Sequence, residues 1–174
     1  MGRKIILMDP SRCIECRACE VACEVEHNGN SFISVFEYME SISVPINCRH
    51  CEKAPCIEVC PTRALSKDED GAVVLAKTKC IGCLLCGVVC PFGIPMLDVV
   101  NKIMMKCDLC ASRRARGLIP ACVATCPTDA LTYGDYEELV LERRRKAAYK
   151  VLESVKSAEP LTKLMEYFIR ASTG

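Results

Sequence analysis

The chain has 174 residues, of which 16 are cysteine, and it contains no tryptophan. Its 23 Lys and Arg nearly balance its 22 Asp and Glu, so the formal charge of +1 argues against a nucleic-acid-binding protein. So many cysteines indicate either a secreted disulfide scaffold or a metal protein in a reducing compartment. The apolar run Ile5–Met8 is too short for a signal-peptide core, and no stretch approaches the roughly 18 apolar residues of a membrane span. We therefore expect a cytoplasmic protein with reduced thiols.

The first half of the chain predicts a strand, a helix and a hairpin, in that order. Lys4–Met8 is a strand candidate, and Leu131–Tyr133 is its expected partner. A helix that begins near Ala18 is expected to end at Asn28-Gly29-Asn30. The stretch Phe32–Ile46 is rich in aromatic and β-branched residues, which predicts an inserted hairpin.

Further along, Ala64-Leu65 and Ala72–Leu75 flank the turn-rich Lys67–Gly71, which predicts a second hairpin. Apolar residues recur at helical spacing through Asp135–Lys156, and Pro160 opens a second short amphipathic helix. This tail contains no cysteine. Its apolar faces either bind a partner subunit or cover the chain's own core.

The sixteen cysteines form four groups of four, and in every group the last two cysteines are separated by three residues. The groups are Cys13, Cys16, Cys19, Cys23; Cys48, Cys51, Cys56, Cys60; Cys80, Cys83, Cys86, Cys90; and Cys107, Cys110, Cys122, Cys126. Three of the four final cysteines precede proline, and two continue almost identically as CPTRAL (60–65) and CPTDAL (126–131). Such regularity indicates an internal repeat rather than mere cysteine abundance.

The spacing suits cubane [4Fe–4S] clusters, which need one thiolate for each iron. A C-x2-C-x2-C loop presents three sulfurs to one cube while backbone N–H groups face the anionic cluster. In the bacterial C-x2-C-x2-C-x3-C-P run the last cysteine ligates the other cluster, so Cys90 is expected in a different cube from Cys86. Zinc knuckles and disulfides are the alternatives, but a zinc site gains nothing from the repeated third and fourth ligands.

The second and third groups together resemble a bacterial two-cluster ferredoxin, nested between the first and fourth groups, which resemble another. The double arrangement is similar to the four-cluster electron-transfer subunits of molybdenum and tungsten oxidoreductases, of the aldehyde oxidoreductase, formate dehydrogenase and dimethyl sulfoxide reductase type. Iron–sulfur subunits of carbon monoxide dehydrogenases and hydrogenases are similar too. The resemblance covers about residues 3–133 and all sixteen ligand positions. The chain departs from it at Glu24, which stands where proline follows the other final cysteines.

The resemblance implies four [4Fe–4S] clusters, because no cysteine is replaced by the tryptophan that accompanies a [3Fe–4S] cluster in some relatives. It also implies crossed ligation. The four implied ligand sets are Cys13, Cys16, Cys19 with Cys126; Cys23 with Cys107, Cys110, Cys122; Cys48, Cys51, Cys56 with Cys90; and Cys60 with Cys80, Cys83, Cys86.

The implied fold is α+β, with two nested bacterial-ferredoxin-like halves related by a pseudo-twofold axis, an inserted β-hairpin and a C-terminal helical tail. The four-cluster domain is expected over residues 1–133. Its outer half comprises 1–30 and 100–133, and its inner half comprises 45–99. The helical extension is expected over 134–174.

The implied function is that of a polyferredoxin subunit, which relays single electrons between a catalytic oxidoreductase subunit and a soluble carrier such as ferredoxin. A tungsten or molybdenum pterin enzyme is the first choice of partner. No residue set resembles a catalytic base, nucleophile or substrate pocket, so we expect no enzyme activity from this chain alone. The alternatives are the iron–sulfur subunit of a carbon monoxide dehydrogenase or hydrogenase, and a freestanding cluster-storing or redox-sensing protein.

Four further features carry weaker expectations. The basic loop Ser112–Gly117 is interpreted as solvated or as offsetting cluster charge, with docking of an acidic partner as the alternative. His50 is expected on the surface, with a hydrogen bond to a cluster sulfur as the alternative. Lys106 precedes Cys107 and is expected to have no special role, electrostatic tuning being the alternative. His27 has no evident role.

Overall fold

A computed structural model of the chain describes residues 2–38 and 42–157. The chain divides after Tyr136 into two compact units, and the first of them contains all sixteen cysteines. Within the described residues the strands form four separate two-stranded antiparallel sheets, and the helices between the cysteine groups are short. The fold is therefore the small mixture of helix and sheet that the sequence predicts. The finer division into an outer and an inner half stays a prediction.

The first sheet joins the two ends of the cysteine-bearing unit. Strand β1 (Lys4–Met8) pairs with β8 (Leu131–Asp135), and Ile6 lies opposite Tyr133. Ile5, Ile6 and Met8 are buried, as the apolar β-branched composition of β1 predicts. The predicted pairing is confirmed, and β8 continues two residues beyond its predicted end. Because Cys13 follows β1 and Cys126 precedes β8, this sheet brings the first and fourth cysteine groups to the same end of the unit.

Helix α1 (Ala18–Glu26) carries two cysteines of the first group. Cys19 and Cys23 lie one helical turn apart and are both buried. The helix ends at Glu26 and is followed by His27, after which Asn28 and Gly29 adopt left-handed φ values of 54° and 90°. These residue types tolerate that conformation, which satisfies the last carbonyls of a helix. The predicted end of the helix is confirmed.

The inserted hairpin consists of β2 (Ile33–Tyr38) and β3 (Ile42–Asn47), also as predicted. Ile33 and Val35 face the core from β2, while the residues between and after them are exposed. A carboxylate oxygen of Glu20 in α1 accepts a hydrogen bond from the Val35 N–H at 2.6 Å. The hairpin is thus tied directly to the helix that carries Cys19 and Cys23.

The middle of the chain contains two short helices and two short hairpins. These elements are α2 (Pro55–Glu58), β4 (Leu65–Lys67), β5 (Val73–Leu75), α3 (Leu85–Val88), β6 (Met96–Asp98) and β7 (Ile103–Met105). The β4–β5 hairpin confirms the prediction for that stretch. The β6–β7 hairpin was not predicted; its turn is held by the Asp98 carboxylate, which accepts hydrogen bonds from the backbone and side chain of Asn101.

Two more short helices, α4 (Ala111–Arg114) and α5 (Ala121–Ala124), lie within the fourth cysteine group. Helix α4 directly follows Cys110, and α5 contains Cys122. Helix α6 (Tyr136–Ser157) agrees with the predicted C-terminal helix. The second helix expected after Pro160 lies outside the described residues. None of the helices in the described part of the chain is both long and apolar enough to span a membrane.

The core of the first unit is built as much from cysteines as from aliphatic side chains. One buried cluster contains Ile6, Ile33 and Leu131 together with Cys19, Cys23, Cys107 and Cys122. A second contains Leu65, Val73 and Met104 together with Cys86. A chain with such short elements buries little aliphatic surface, so a small fold of this kind needs metal centres as part of its core.

Candidate metal centres

None of the sixteen cysteines is paired in a disulfide. Only Cys16 and Cys83 are exposed; the others are buried or half-buried. Cys16 and Cys83 are each the second cysteine of a C-x2-C-x2-C run. Equivalent cysteines of these two groups therefore have the same solvent exposure. The remaining thiols face the interior, where a thiolate needs a positive partner such as iron.

Each cysteine group opens with the same backbone turn. The second residue after the first cysteine has a left-handed φ in all four groups: Glu15 (58°), His50 (43°), Gly82 (66°) and Leu109 (60°). This conformation costs a non-glycine residue about 1–2 kcal/mol, so its recurrence indicates that the loop geometry is required. Turns of this type direct successive backbone N–H groups to one side and form a concave anion site.

Gly82 shows how tightly one of these loops is packed. A Cβ placed on this glycine would lie 2.3 Å from the backbone oxygen of Lys102, at the turn between β6 and β7. The unpredicted β6–β7 hairpin therefore packs directly on the loop of the third cysteine group. The Met104 N–H, in β7, donates a hydrogen bond to Cys80 Sγ at 3.3 Å.

The two nearly identical segments CPTRAL and CPTDAL build the same local structure. The Cys60 and Cys126 sulfurs lie 3.7 Å and 3.8 Å from the hydroxyl oxygens of Thr62 and Thr128. Burial acts to raise the pKa of both thiols, but hydrogen bonds from these threonines and from nearby backbone N–H groups outweigh it, so each pKa lies below its ordinary value. Hydrogen bonds to sulfur are one of the ways in which a protein sets the potential of an iron–sulfur cluster.

Cys90 shares a cavity with the second cysteine group. Cys48, Cys51, Cys56 and Cys90 all line this cavity, together with Pro91, Phe92 and Lys106. Burial raises the pKa of Cys56, and the negative charges of Cys48 and Cys90 raise it further. Three cysteines from one group and the last cysteine of the next group thus surround one space.

Cys23 lies beside the fourth group. Burial raises the pKa of Cys122, and the thiolate charges of Cys110, Cys23 and Cys19 add to that effect. Burial likewise raises the pKa of Cys110 to about 11, with a contribution from Cys23. The Phe32 N–H donates to Cys23 Sγ at 3.3 Å, and the Leu109 N–H donates to Cys107 Sγ at 3.4 Å. Buried N–H donors directed at sulfur stabilise the thiolate form that binds iron.

The other implied sets are brought together less completely. Burial raises the pKa of Cys86, with added repulsion from Cys56, Cys80 and Cys83. Cys60 and Cys80 pack against the same apolar cluster as Cys86. Cys13 and Cys126 both pack against the cluster that contains Cys19.

Two buried polar residues support the fit of an anionic cluster beside Cys48. Asn47 and His50 are each 1% exposed, and the Asn47 side-chain amide and His50 Nε2 have no hydrogen-bond partner in the described residues. His50 Nδ1 accepts from the Val73 N–H at 2.9 Å, so Nε2 carries the proton and is an unused donor. The surface position expected for His50 is therefore wrong. Burial and then the charge of Lys106 lower its pKa well below the ordinary value.

The arginines of the basic loop are engaged within the chain. The Arg114 side chain is only 7% exposed and pairs with both Asp68 and Asp70, in the turn of the β4–β5 hairpin. Arg113 and Arg116 both approach Glu26, near the end of α1. The solvated interpretation is wrong for Arg114, which fastens the fourth cysteine group to the middle of the chain.

His27 also proves to have a partner that the sequence did not reveal. Its Nε2 lies 3.7 Å from Cys110 Sγ and 3.8 Å from the carboxylate of Asp108. The ring packs edge-on against Phe32, with 5.0 Å between the ring centroids. A histidine just past the end of α1 thereby reaches the fourth cysteine group, a contact between groups one and four that no local pattern in the sequence signals.

Residues 39–136, more than half of the chain, match the 4Fe-4S dicluster domain. The chain belongs to this family. It is 40% identical to the thiosulfate reductase electron transfer subunit PhsB of Salmonella typhi, over 93% of this chain and 92% of the relative. It is 39% identical to the B subunit of the anaerobic dimethyl sulfoxide reductase of Escherichia coli (strain K12), over 76% of this chain and 73% of the relative. It is 38% identical to the B subunit of the polysulfide reductase of Wolinella succinogenes, over 76% of each.

These findings confirm the predicted resemblance. The protein is an iron–sulfur electron-transfer subunit of an oxidoreductase and not the catalytic subunit. Its cofactors are four [4Fe–4S] clusters, for which the chain has sixteen free thiols.

The protein purified without oxygen should contain about sixteen irons and about sixteen sulfides per chain, because four cubanes require four of each. Metal analysis and sulfide determination check this number directly. Stoichiometric zinc in a colourless preparation would contradict the cluster content.

Proposed function

We propose that this subunit carries electrons to or from a molybdenum or tungsten pterin catalytic subunit, of a reductase related to those that its relatives serve. The relatives are named for thiosulfate, dimethyl sulfoxide and polysulfide reductases, so a small sulfur compound is the favoured class of substrate. Their names, as components of reductases, also favour a subunit over a freestanding storage or sensing protein. The other redox partner in this proposal is a soluble ferredoxin, in the cytoplasm, where thiols stay reduced.

We propose further that the clusters are held by crossed sets of cysteines. The sets are Cys13, Cys16, Cys19 with Cys126; Cys23 with Cys107, Cys110, Cys122; Cys48, Cys51, Cys56 with Cys90; and Cys60 with Cys80, Cys83, Cys86. The cavity that Cys90 shares with Cys48, Cys51 and Cys56 is the observation that carries this assignment. The position of Cys23 beside Cys110 and Cys122 supports it independently.

The same assignment makes the protein two nested ferredoxin-like halves related by a pseudo-twofold axis. Support comes from features that recur in both proposed halves. Glu15 and Gly82, at equivalent positions of the first and third groups, both have a left-handed φ. Arg17 and Leu84, two residues later in each group, do so too. The Cys60–Thr62 and Cys126–Thr128 contacts recur in the same way.

Exposure suggests where electrons enter and leave. Cys16 and Cys83 are the only exposed cysteines, and they belong to different proposed sets. By contrast, Cys23, Cys107, Cys110 and Cys122 are all buried. We infer that one partner meets the set containing Cys16 and the other meets the set containing Cys83. The two remaining sets would hold the clusters that connect those ends, and each of these clusters would supply one-electron chemistry to the relay.

Purification of the subunit from its native source without oxygen tests the partnership. We expect a larger chain to co-purify with it and to contain molybdenum or tungsten in a ratio of about one per complex. Recovery of the fully loaded subunit without any catalytic chain, under conditions that preserve the clusters, would contradict the proposal.

Removal of residues 137–174 should leave the iron content unchanged, because all sixteen cysteines lie in the first unit. The cut must follow Tyr136, since Asp135 pairs with Lys4 and the Tyr136 N–H donates to the Arg3 carbonyl. Helix α6 exposes apolar residues such as Leu141 and Leu152, so we expect the shortened chain to lose its catalytic partner. Iron analysis and co-purification measure the two effects separately. Loss of iron would instead assign the helix to the chain's own core.

A further inference from the structure

Lys106 is a buried cation without a carboxylate partner. The residue is 7% exposed, and its Nζ donates hydrogen bonds to the backbone oxygens of Val73 and Cys107. Among residues 2–38 and 42–157 no carboxylate lies within ion-pair distance of this ammonium group. Burial of a charge costs free energy unless an opposite charge offsets it, so we expect an anion other than a side-chain carboxylate near this ammonium group.

Lys106 lies between two of the proposed ligand sets. Its side chain lines the cavity that Cys48, Cys51, Cys56 and Cys90 share. Its backbone adjoins Cys107, the first cysteine of the fourth group, and its Nζ turns back to the carbonyl of that residue. Lys106 therefore lines the cavity of one ligand set, and in the chain it directly precedes a cysteine of another set.

Lys106 is the more deeply buried of two cations that line this cavity without a carboxylate partner in the described residues. The other, Arg49, is only half-buried, and its guanidinium group lies 5.5 Å from the centroid of the Phe92 ring. Arg114 is also buried, but Asp68 and Asp70 offset its charge. Val73 contacts both His50 and Lys106, because its N–H donates to His50 Nδ1 and its carbonyl accepts from Lys106 Nζ. Because Nδ1 is an acceptor, this histidine is neutral and adds no charge.

We propose that Lys106 raises the reduction potentials of the two middle clusters of the relay, those held by Cys48, Cys51, Cys56 and Cys90 and by Cys23, Cys107, Cys110 and Cys122. This inference rests on the proposed ligand sets. Reduction adds one negative charge to a cluster that is already anionic, and a cation nearby in a medium of low dielectric stabilises the reduced form more than the oxidised form. Lys106 thus makes the two middle clusters the preferred positions of electrons within the relay.

The chain supplies a matched control for this lysine. Lys79 immediately precedes Cys80, as Lys106 precedes Cys107, but Lys79 is exposed. Solvent and salt screen an exposed charge, so its removal should have a much smaller effect on any cluster. The pair Lys106→Gln and Lys79→Gln therefore removes the same charge at equivalent places in the repeat.

The test is a potentiometric titration of the full-length, cluster-loaded protein, followed by electron paramagnetic resonance. Cys90→Ser and Cys23→Ser identify the signals of the two middle clusters. We expect Lys106→Gln to lower the potentials of both middle clusters and to leave the potentials of the two end clusters, those of Cys16 and Cys83, nearly unchanged. Lys106→Arg, which keeps the charge, should keep the potentials, and Lys79→Gln should resemble the unmodified protein. Glutamine retains an N–H donor, so the comparison separates charge from hydrogen bonding.

Three results would overturn the proposal. The first is a Lys106→Gln protein with unchanged potentials, and the second is an equal shift of all four. The third is loss of iron in the Gln and Arg variants alike, which would make Lys106 a structural contact only. The ligand sets are judged separately: if Cys23→Ser and Cys122→Ser change different signals, the sets are wrong whatever Lys106 does.

Discussion

Cys23→Ser and Cys122→Ser should alter the same redox signal, whereas Cys19→Ser should alter a different one. Cys23 lies beside Cys110 and Cys122 of the fourth group, although it follows Cys19 by a single helical turn. Loss of one thiolate leaves one iron without its anionic ligand, so the damage should concentrate at one cube, as a three-iron form or a shifted potential. Potentiometric titration with electron paramagnetic resonance resolves which cube changes.

The simpler arrangement, four local cubes each made by its own cysteine group, makes the opposite prediction. Cys19→Ser and Cys23→Ser would then share a signal, and Cys122→Ser would not. Cys90 offers the same comparison in the middle of the chain: Cys90→Ser should share its signal with Cys48→Ser and not with Cys86→Ser. A shared signal for Cys90 and Cys86 would overturn the crossed arrangement.

Arg114→Met should destabilise the protein by about 2–4 kcal/mol. Loss of one partner from a buried ion pair leaves the other charge uncompensated, which costs about 3–5 kcal/mol when both are fully buried. Asp68 and Asp70 have side-chain exposures of 26% and 29%, so water recovers part of that cost. The change also breaks the link between the β4–β5 hairpin and the fourth cysteine group.

Denaturant-induced loss of cluster absorbance, followed without oxygen, measures this destabilisation. Arg116→Met is the matched control, because Arg116 is 63% exposed and lies 3.9 Å from Glu26. Its effect should stay within about 0.5 kcal/mol, as is usual for surface substitutions. Equal midpoints for the two variants would show that the Arg114 contacts contribute little to stability.

Local patterns were enough to predict much of the fold. The strand Lys4–Met8, the end of α1 near Asn28 and the two hairpins at β2–β3 and β4–β5 follow from β-branched composition and turn residues. The β6–β7 hairpin escaped prediction because Ile103 is the one β-branched residue in its strands, and its turn at 99–102 contains neither glycine nor proline. The cysteine spacing identified the cluster groups, since the chemistry of the cube restricts that spacing directly.

The polar residues of the site could not be predicted in the same way. Histidine, lysine and arginine are mostly exposed in proteins, so sequence favours the surface for His50, Lys106 and Arg114. All three are buried because segments distant in the chain, including Val73 and the Asp68–Asp70 turn, provide their partners. Burial of this kind depends on tertiary placement, and only the closeness of His50 and Lys106 to cysteines hinted at it.

Stepwise reduction of the full-length protein without oxygen, with the electrons counted against the protein concentration, tests the central claim most directly. Four clusters that each accept one electron predict an uptake of about four electrons per chain. Electron paramagnetic resonance at each step should show signals that appear and then interact as neighbouring clusters become reduced. An uptake of two electrons or fewer by a protein with its full iron content would contradict a four-cluster electron relay.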